Sequence, residues 1–257
     1  MKTIQQISSK YDTDKSVHKH YLQNYAELFE PLVETEVKLL ELGIFHGGSL
    51  LMWRDFFPQG QIAGLDINPA EIEDDSGRVH IYQGKQNDKD FLDKIAREIA
   101  PDGFDIIIDD CSHIGALSRI SFWHLFNNHL KSGGIYVIED WGTGYWDSWA
   151  DGAKFKHYDF GRDLEFSEKA AFKLDYLQKN LLRSIPVINN LTSRLKGFLL
   201  KNACHSHNAG MVGFIKELVD ECGMGDVNHP QAGVSDGRSS YFRELKISHG
   251  HVFVVKA

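Results

Sequence analysis

The chain has 257 residues, 42% of them hydrophobic, and a formal net charge of −8. This composition is typical of a globular protein, and its acidic balance without a basic run argues against nucleic acid as a partner. No apolar run approaches the ~20 residues that span a bilayer, so we expect neither a membrane span nor a signal peptide. Three separated cysteines provide no disulfide framework and favour a cytoplasmic location.

Apolar runs alternate with helical patterns through the first half of the chain. Strands are predicted at 37–43, 61–67, 78–82, 104–108 and 135–138. Helices are predicted at 49–57, 88–99 and 114–130, and the last of these is expected to stop at Lys131-Ser132-Gly133-Gly134. This alternation predicts a Rossmann-like α/β fold, in which helices cover both faces of a mostly parallel, doubly wound sheet.

The C-terminal part follows a different pattern. A helix is predicted at 212–222, and β-rich runs at 240–247 and 251–255 predict an antiparallel hairpin that completes a seven-stranded sheet. Helical patterns at 167–182 and 191–200, broken at Pro186, lie in a connection too long for a plain loop. We interpret about 150–205 as a helical insertion or cap within a single domain, 1–257.

Carboxylates end four of the five parallel strands. Ligands bind beyond the carboxyl ends of strands in open parallel sheets, so these side chains are expected to meet at one edge. The residues are Glu41, Asp66, the pair Asp109-Asp110 and the pair Glu139-Asp140. Each alone is better explained as a helix cap or a solvated loop charge. Together they indicate a site for a cationic ligand.

The glycine-containing turn after the first strand indicates a nucleoside site. Its spacing does not match the dinucleotide fingerprint, and an acidic rim would repel a pyrophosphate. S-adenosylmethionine is a cationic nucleoside without phosphate, and Asp66 is placed to accept hydrogen bonds from both ribose hydroxyls. The alternative for Asp66 is a turn residue ahead of Asn68-Pro69.

Alternation along a strand predicts that Asp109 and Asp110 face opposite sides of the sheet, and likewise Glu139 and Asp140. Asp110, Glu139 and Asp140 would then repel one another strongly in a cleft. A hard divalent cation, Mg²⁺, would relieve this repulsion with all-oxygen ligation. The alternative is that Glu139-Asp140 caps the next segment and faces water.

His113 follows the acidic pair in a turn that opens a helix. Its imidazole is suited to take a proton from a polarised hydroxyl near neutral pH. Cys204, His205 and His207 resemble a metal cluster but lack further ligands. An aromatic run either walls a ring-shaped acceptor such as a sugar or packs the insertion; it comprises Trp141, Tyr145, Trp146 and Trp149.

These stretches, in this order, resemble class I S-adenosylmethionine-dependent methyltransferases. Within that class the chain resembles the Mg²⁺-dependent macrolide and tetracenomycin sugar O-methyltransferases, to which the cephalosporin hydroxylase family is related. The matching residues are Lys10 to Lys15 with Tyr21 and Tyr25, Leu40 to Gly43, Gly47 to Leu50, Met52-Trp53, Gly64 to Asp66, Asp109-Asp110, Ser112-His113 and Glu139-Asp140.

The resemblance implies roles for these positions and makes 1–30 a segment of the cofactor site. S-adenosylmethionine would be held by Glu41, Gly43, Ser49, Asp66, Gln86, Asn87 and Asp109. Mg²⁺ would be held by Asp110, Glu139 and Asp140, and His113 would be the general base. The acceptor would be a hydroxyl of a sugar-like small molecule.

Three departures from the family pattern stand out. Cys111 occupies a position usually taken by glycine, Lys85 replaces an acidic residue, and the insertion has no clear match. A metal-dependent catechol or acyl-ester methyltransferase, or a catalytically silent cofactor-binding assembly subunit, therefore remains an alternative. A homo-oligomer is also left open.

Overall fold

A seven-stranded sheet forms the centre of the computed structural model, which describes residues 3–17, 19–68, 71–154, 166–180, 186–201, 208–224 and 239–257. The parallel strands are β1 (Lys38–Leu42), β2 (Gln61–Asp66), β3 (Val79–Gln83), β4 (Phe104–Asp109) and β5 (Leu130–Glu139). The hairpin of β6 (Phe242–Ile247) and β7 (His251–Lys256) pairs antiparallel with β5. The order β3-β2-β1-β4-β5-β7-β6 confirms the predicted fold class.

Helices cover both faces of this sheet. They are α1 (Ile4–Ser8), α2 (Lys19–Phe29), α3 (Gly48–Phe56), α4 (Lys89–Ile99), α5 (Gly115–Asn128) and α8 (Gly210–Met224). Alternate strand residues enter two separate apolar cores. Ile106 and Ile108 pack in the core that includes α1–α3, whereas Ile107 packs in the core with α4, α5 and α8. The last residues of each strand therefore project to defined sides.

The boundary after α5 differs from the prediction. The helix ends at Asn128 and β5 begins at Leu130, so Gly133 and Gly134 lie inside the strand. Pairing with β4 starts early, since Phe104 N donates to His129 O at 2.7 Å. The ladder then shifts register between Phe104 and Ile106, and Gly133, with φ +77°, accommodates the irregularity. The glycines predicted the end of the helix, but pairing of the chain with β4 determines where the helix ends and the strand begins.

A second compact unit spans 156–207 and contains the two remaining helices, α6 (Phe166–Asn180) and α7 (Pro186–Lys201), which pack on each other. Both were predicted, although Pro186 opens α7, where a fixed φ is favourable, instead of lying between helices. Cys204, His205 and His207 lie outside the described residues. Across the ranges given above, no helix is long and apolar enough to cross a membrane.

Candidate functional site

A cavity of about 630 Å³ opens at the carboxyl edge of β1, β2 and β4. The predicted residues Gly43, Ser49 and Asp66 line it, together with Asp110 and His113. Gly43 has φ +84°, and a Cβ there would lie 2.1 Å from the Asp110 carbonyl oxygen. Only glycine allows the turn after β1 to pack this closely against the loop after β4. The cavity volume lies within the usual ~300–1,000 Å³ of small-ligand sites.

Asp66 is fixed at the cavity rim by backbone donors. Its Oδ2 accepts hydrogen bonds from Ile44 N at 3.0 Å and Phe45 N at 3.3 Å, and its Oδ1 accepts one from Asn68 N at 2.8 Å. A carboxylate has about four acceptor positions, so capacity remains for a ligand hydroxyl. Phe45 reaches this turn in a left-handed conformation, φ 43°, with its ring exposed.

Asp109 and Gln86 form a buried pair beside the cavity, on the α5 side of the sheet. Gln86 Nε2 donates to Asp109 Oδ1 at 3.2 Å, and Gln86 Oε1 accepts from Ser112 N at 3.2 Å. Burial raises the pKa of Asp109 to about 6. Asn87 lies half-buried in the turn before α4. Asp109, Gln86 and Asn87 are absent from the described cavity lining, so their predicted cofactor roles remain predictions.

Lys15 lies at the centre of the carboxylates that point to the other side of the sheet. Its Nζ is 2.6 Å from Asp110 Oδ2, 2.7 Å from Glu139 Oε1 and 3.2 Å from Glu41 Oε1, and its side chain is 1% exposed. Burial acts to lower the pKa of this amine, but the three carboxylates outweigh it and hold the pKa well above its usual value. Ser49 Oγ donates to the second oxygen of Glu41 at 2.8 Å.

This contact was not predicted from the sequence. Lys15 was noted only within a segment that matches the family, and the relief of repulsion was assigned to a divalent ion. The structure supplies a permanent internal cation for Glu41, Asp110 and Glu139. No residue spacing could reveal it, because Lys15 is separated by 95 residues from Asp110 and by 124 from Glu139.

Two tyrosines one turn apart on α2 bind the carboxylates at the end of β5. Tyr25 donates its hydroxyl to Glu139, and Tyr21 donates to Asp140 Oδ1 at 2.5 Å. Both carboxylates thus face the same helix, and the prediction that they face opposite sides is wrong. Asp140 adopts a left-handed conformation, φ 51°, which breaks the alternation of the strand. Asp109 and Asp110 do diverge as predicted.

Two overlapping sets of side chains could hold a cation. Ligand atoms of Asp110, His113 and Asp140 lie within 4.8 Å of one another, as do those of Glu41, Asp110 and Glu139. Lys15 occupies the second set, whereas the first borders the cavity. The Asp110 carboxyl has a pKa well above its usual value because of burial and the nearby Glu139. Lys15 binds only one oxygen of Asp110, so other carboxylate oxygens stay available to a ligand. This donor set suits a hard divalent ion.

His113 is held by groups from the segment after β5. Its carbonyl accepts hydrogen bonds from Trp149 Nε1 at 3.1 Å and Thr143 Oγ1 at 3.4 Å. Its backbone is left-handed, φ 51°, and its Nε2 lies 3.8 Å from Asp110 Oδ1. Left-handed non-glycine residues are costly and cluster at functional sites. Here the strain turns an imidazole that is 17% exposed toward the carboxylates.

Cys111, Lys85 and the aromatic run are the remaining predicted features, and the structure shows the position of each. Cys111 lines the cavity without adopting a positive φ, and burial raises the pKa of its thiol to about 12. Of the aromatic run, Trp149 contacts His113, Trp141 Nε1 donates to Ser248 O at 3.0 Å, and Trp146 is exposed. Trp149 and Trp141 therefore hold neighbouring segments by hydrogen bonds, and the indole of Trp146 is exposed. Lys85 is exposed in the turn before α4.

Proteins with similar sequences include several that are named as O-methyltransferases. Mycinamicin VI 2″-O-methyltransferase from Micromonospora griseorubida is 45% identical over 151 residues, covering 56% of this chain and 37% of that protein. Demethylmacrocin O-methyltransferase from Streptomyces fradiae is 40% identical over 151 residues, with the same 56% and 37% coverage. No protein-family model matches the chain.

Solved structures extend the similarity over the whole chain. The MycE methyltransferase of the mycinamycin biosynthetic pathway, in complex with Mg and SAH, matches with a TM-score of 0.66 and 30% identity, over 99% of this chain and 54% of that one. Its complex that also contains mycinamycin VI matches with a TM-score of 0.63 and 31% identity, over 99% and 53% of the two chains. The chain spans about half the length of these structures.

Proposed function

We propose that the chain is an O-methyltransferase of the class I S-adenosylmethionine-dependent type, because its sequence is similar to those of the mycinamicin and tetracenomycin O-methyltransferases and its fold is similar to that of the MycE methyltransferase. The cofactors would be S-adenosylmethionine and Mg²⁺, and the acceptor would be a hydroxyl of a sugar or a small natural product. The observation that carries this proposal is the meeting of a nucleoside-sized cavity, a carboxylate-rich rim and His113 at one sheet edge.

The residues fit both cofactors. Gly43 and Asp66 shape the nucleoside side of the cavity, and Asp110 and Asp140 offer oxygens beside His113. We propose Asp110, Glu139 and Asp140 as the ligands of Mg²⁺. When bound, S-adenosylmethionine supplies an electrophilic methyl group, and Mg²⁺ supplies a charge that lowers the pKa of a hydroxyl. The chain's own side chains then have to position the acceptor and accept its proton.

His113 is the proposed proton acceptor, acting through Nε2. Its carbonyl is anchored by Trp149 and Thr143, which fixes the backbone from which the ring extends toward Asp110. Lys15 holds one oxygen of Asp110 and leaves Oδ1 directed toward His113. No covalent intermediate is required, so positioning and electrostatics would provide most of the rate.

Replacing His113 by alanine tests this assignment. We expect kcat to fall by roughly 10²–10⁴-fold, the usual contribution of a general base, with the dissociation constant of S-adenosylhomocysteine nearly unchanged. Calorimetry measures cofactor binding, and methyl transfer to a panel of sugars and catechols measures turnover. His80→Ala is the matched control, since His80, on β3, is hydrogen-bonded to Gln61 on β2 and does not line the cavity.

The outcomes separate the alternatives. Full activity in His113→Ala would remove its role as base, and chelator-insensitive transfer would count against Mg²⁺. Preference for catechols over sugars would redirect the acceptor assignment. Cofactor binding without transfer to any acceptor would favour a silent assembly subunit. Cytoplasmic location and self-association remain predictions, to be checked by cell fractionation and by light scattering.

A further inference from the structure

A second cluster of metal-binding side chains lies away from the cavity. Asp93 lies on α4 and His124 lies in the last turns of α5. His129 is the residue between α5 and β5. Their ligand atoms lie within 4.8 Å of one another. Since α5 starts at the carboxyl end of β4 and His129 precedes β5, the cluster is at the opposite edge of the sheet from His113.

Both imidazoles point the same nitrogen at the same oxygen. Nε2 of His124 is 2.7 Å and Nε2 of His129 is 2.6 Å from Asp93 Oδ1, and the ring centroids are 5.6 Å apart. Single His–carboxylate pairs are common. Here two imidazole nitrogens converge on one carboxylate oxygen, so three potential ligand atoms for a metal ion lie together. The side chains are 12%, 18% and 30% exposed for His124, His129 and Asp93, so an ion can reach them.

We propose that Asp93, His124 and His129 form a binding site for one divalent transition-metal ion, of which Zn²⁺ is the best match. Two imidazoles and a carboxylate suit Zn²⁺, with bonds of ~2.0–2.2 Å and a fourth position open to water. Ligands around such an ion lie ~3.3 Å apart, so each imidazole nitrogen needs to move away from the Asp93 oxygen by only about 0.6–0.7 Å. The nitrogen-containing set also distinguishes this site from the carboxylate site near His113.

The bound ion would tie α4 to the end of α5 and the start of β5. These elements surround the irregular register between β4 and β5, where the strand begins directly after His129. The site's function would be structural, since it faces no cavity lined by the cofactor-site residues. Metal binding to the folded state raises stability in proportion to the logarithm of ion concentration over its dissociation constant.

Titration of the full chain with Zn²⁺, in saturating Mg²⁺, tests the proposal. We expect one tight equivalent in the wild type, lost in His124→Ala/His129→Ala, and a melting temperature raised by roughly 5 °C at a hundredfold excess over Kd. The visible spectrum of Co²⁺ in the same site should report four-coordination. Failure of the wild type to bind, or unchanged stoichiometry in the double variant, would overturn the proposal.

Two further variants exclude other sources of binding. His113→Ala and His205→Ala/His207→Ala should each retain the tight equivalent, and its loss in either would place the ion elsewhere. Should the double alanine variant fail to fold, Asp93→Asn removes one ligand with minimal change in shape. It should weaken Zn²⁺ binding by roughly tenfold or more, and unchanged affinity would overturn the site. Because methyl transfer is not the readout, the result is independent of the proposed activity.

Discussion

A cluster of three carboxylates lies at one edge of the sheet and a single carboxylate with two histidines at the other, and the groups that pair with these carboxylates differ. At the carboxyl edge, Glu41, Asp110 and Glu139 surround the ammonium of Lys15, which is 1% exposed. At the opposite edge, Asp93 meets two imidazoles that water can reach. A buried carboxylate cluster requires a permanent charge, because an unpaired ion costs several kcal/mol there. A solvent-accessible carboxylate can pair with groups that exchange protons with solvent, or with a metal ion that enters from solvent.

Lys15→Met is the change that should break this comparison most severely. It removes the charge, keeps most of the side-chain volume and leaves three buried carboxylates facing one another. Loss of one partner from a buried ion pair costs ~3–5 kcal/mol, so we expect a loss of this size in the free energy of unfolding, measured in urea at pH 7. Lys10→Met is the matched control, because Lys10 is 43% exposed and 3.8 Å from its partner Asp55.

A second substitution distinguishes charge from packing. Glu139→Gln removes one of the facing charges, so the double variant Lys15→Met/Glu139→Gln should recover part of the stability lost in Lys15→Met. The coupling is read from a double-mutant cycle, in which contacting groups depart from additivity by ~0.5–3 kcal/mol. Additive losses would mean that Lys15 acts through its aliphatic stem and not through its charge.

Much of the carboxyl edge could be predicted, because local patterns determine it. The apolar runs predicted the parallel strands, and the residues at or directly after the strand ends, Asp66, Asp109 and Asp110, reach the edge by chain continuity. Alternation separated Asp109 from Asp110 because β4 is regular up to that point. Lys15 could not be found this way, since its partners are far away in the sequence, in β1, directly after β4 and at the end of β5.

Local backbone conformation explains the other misses. Asp140 and His113 adopt positive φ without being glycine, so neither the shared orientation of Glu139 and Asp140 toward α2 nor the anchoring of His113 follows from residue type. At the opposite edge, Asp93 and His129 belong to different elements that meet only through packing of α4 on α5. Prediction stops where contacts depend on tertiary structure.

Asp109 tests what happens to a carboxylate at the carboxyl edge without a lysine. Its pKa is raised from 3.8 to about 6 by burial, so the folded state favours the protonated form. This contribution to stability is complete below pH 3.8 and is lost as pH rises through about 6. Asp109→Asn should therefore be more stable than the wild type at pH 8, by up to about 3 kcal/mol, and similar at pH 4.

Urea unfolding between pH 4 and pH 8 measures the effect. Asp102→Asn, at an exposed position, should leave the pH profile unchanged. If Asp109 also contacts the cofactor, as the resemblance implies, Asp109→Asn will lose S-adenosylhomocysteine affinity while it gains stability. A variant that is less stable than the wild type at pH 8 would contradict the conclusion that burial, without a lysine partner, raises the pKa of this carboxyl.

His251 provides the imidazole counterpart within the buried cluster. Burial, with the nearby Lys15, lowers its pKa from 6.5 to about 3, so the ring is neutral in the fold. A depressed pKa of a base means that stability falls as pH drops below 6.5, by about 2 kcal/mol at pH 5. His251→Phe, within an aromatic neighbourhood that includes Tyr25 and Phe253, should show a weaker loss between pH 7 and pH 5. An unchanged slope in urea unfolding would argue against this assignment.

Asp93→Asn should produce the smallest effect. In EDTA the accessible cluster has only its hydrogen bonds, and those with His129 and His124 lower the pKa of Asp93. A lowered carboxyl pKa adds stability above pH 3.8 that is lost as pH falls, but solvent screening limits such pairs to ~0–1 kcal/mol. Urea unfolding at pH 6, with Asp90→Asn as the exposed control on α4, should show a loss below about 1 kcal/mol. A loss as large as that of Lys15→Met would mean that burial does not separate the two edges, and that a carboxylate's positive partner matters equally wherever it lies.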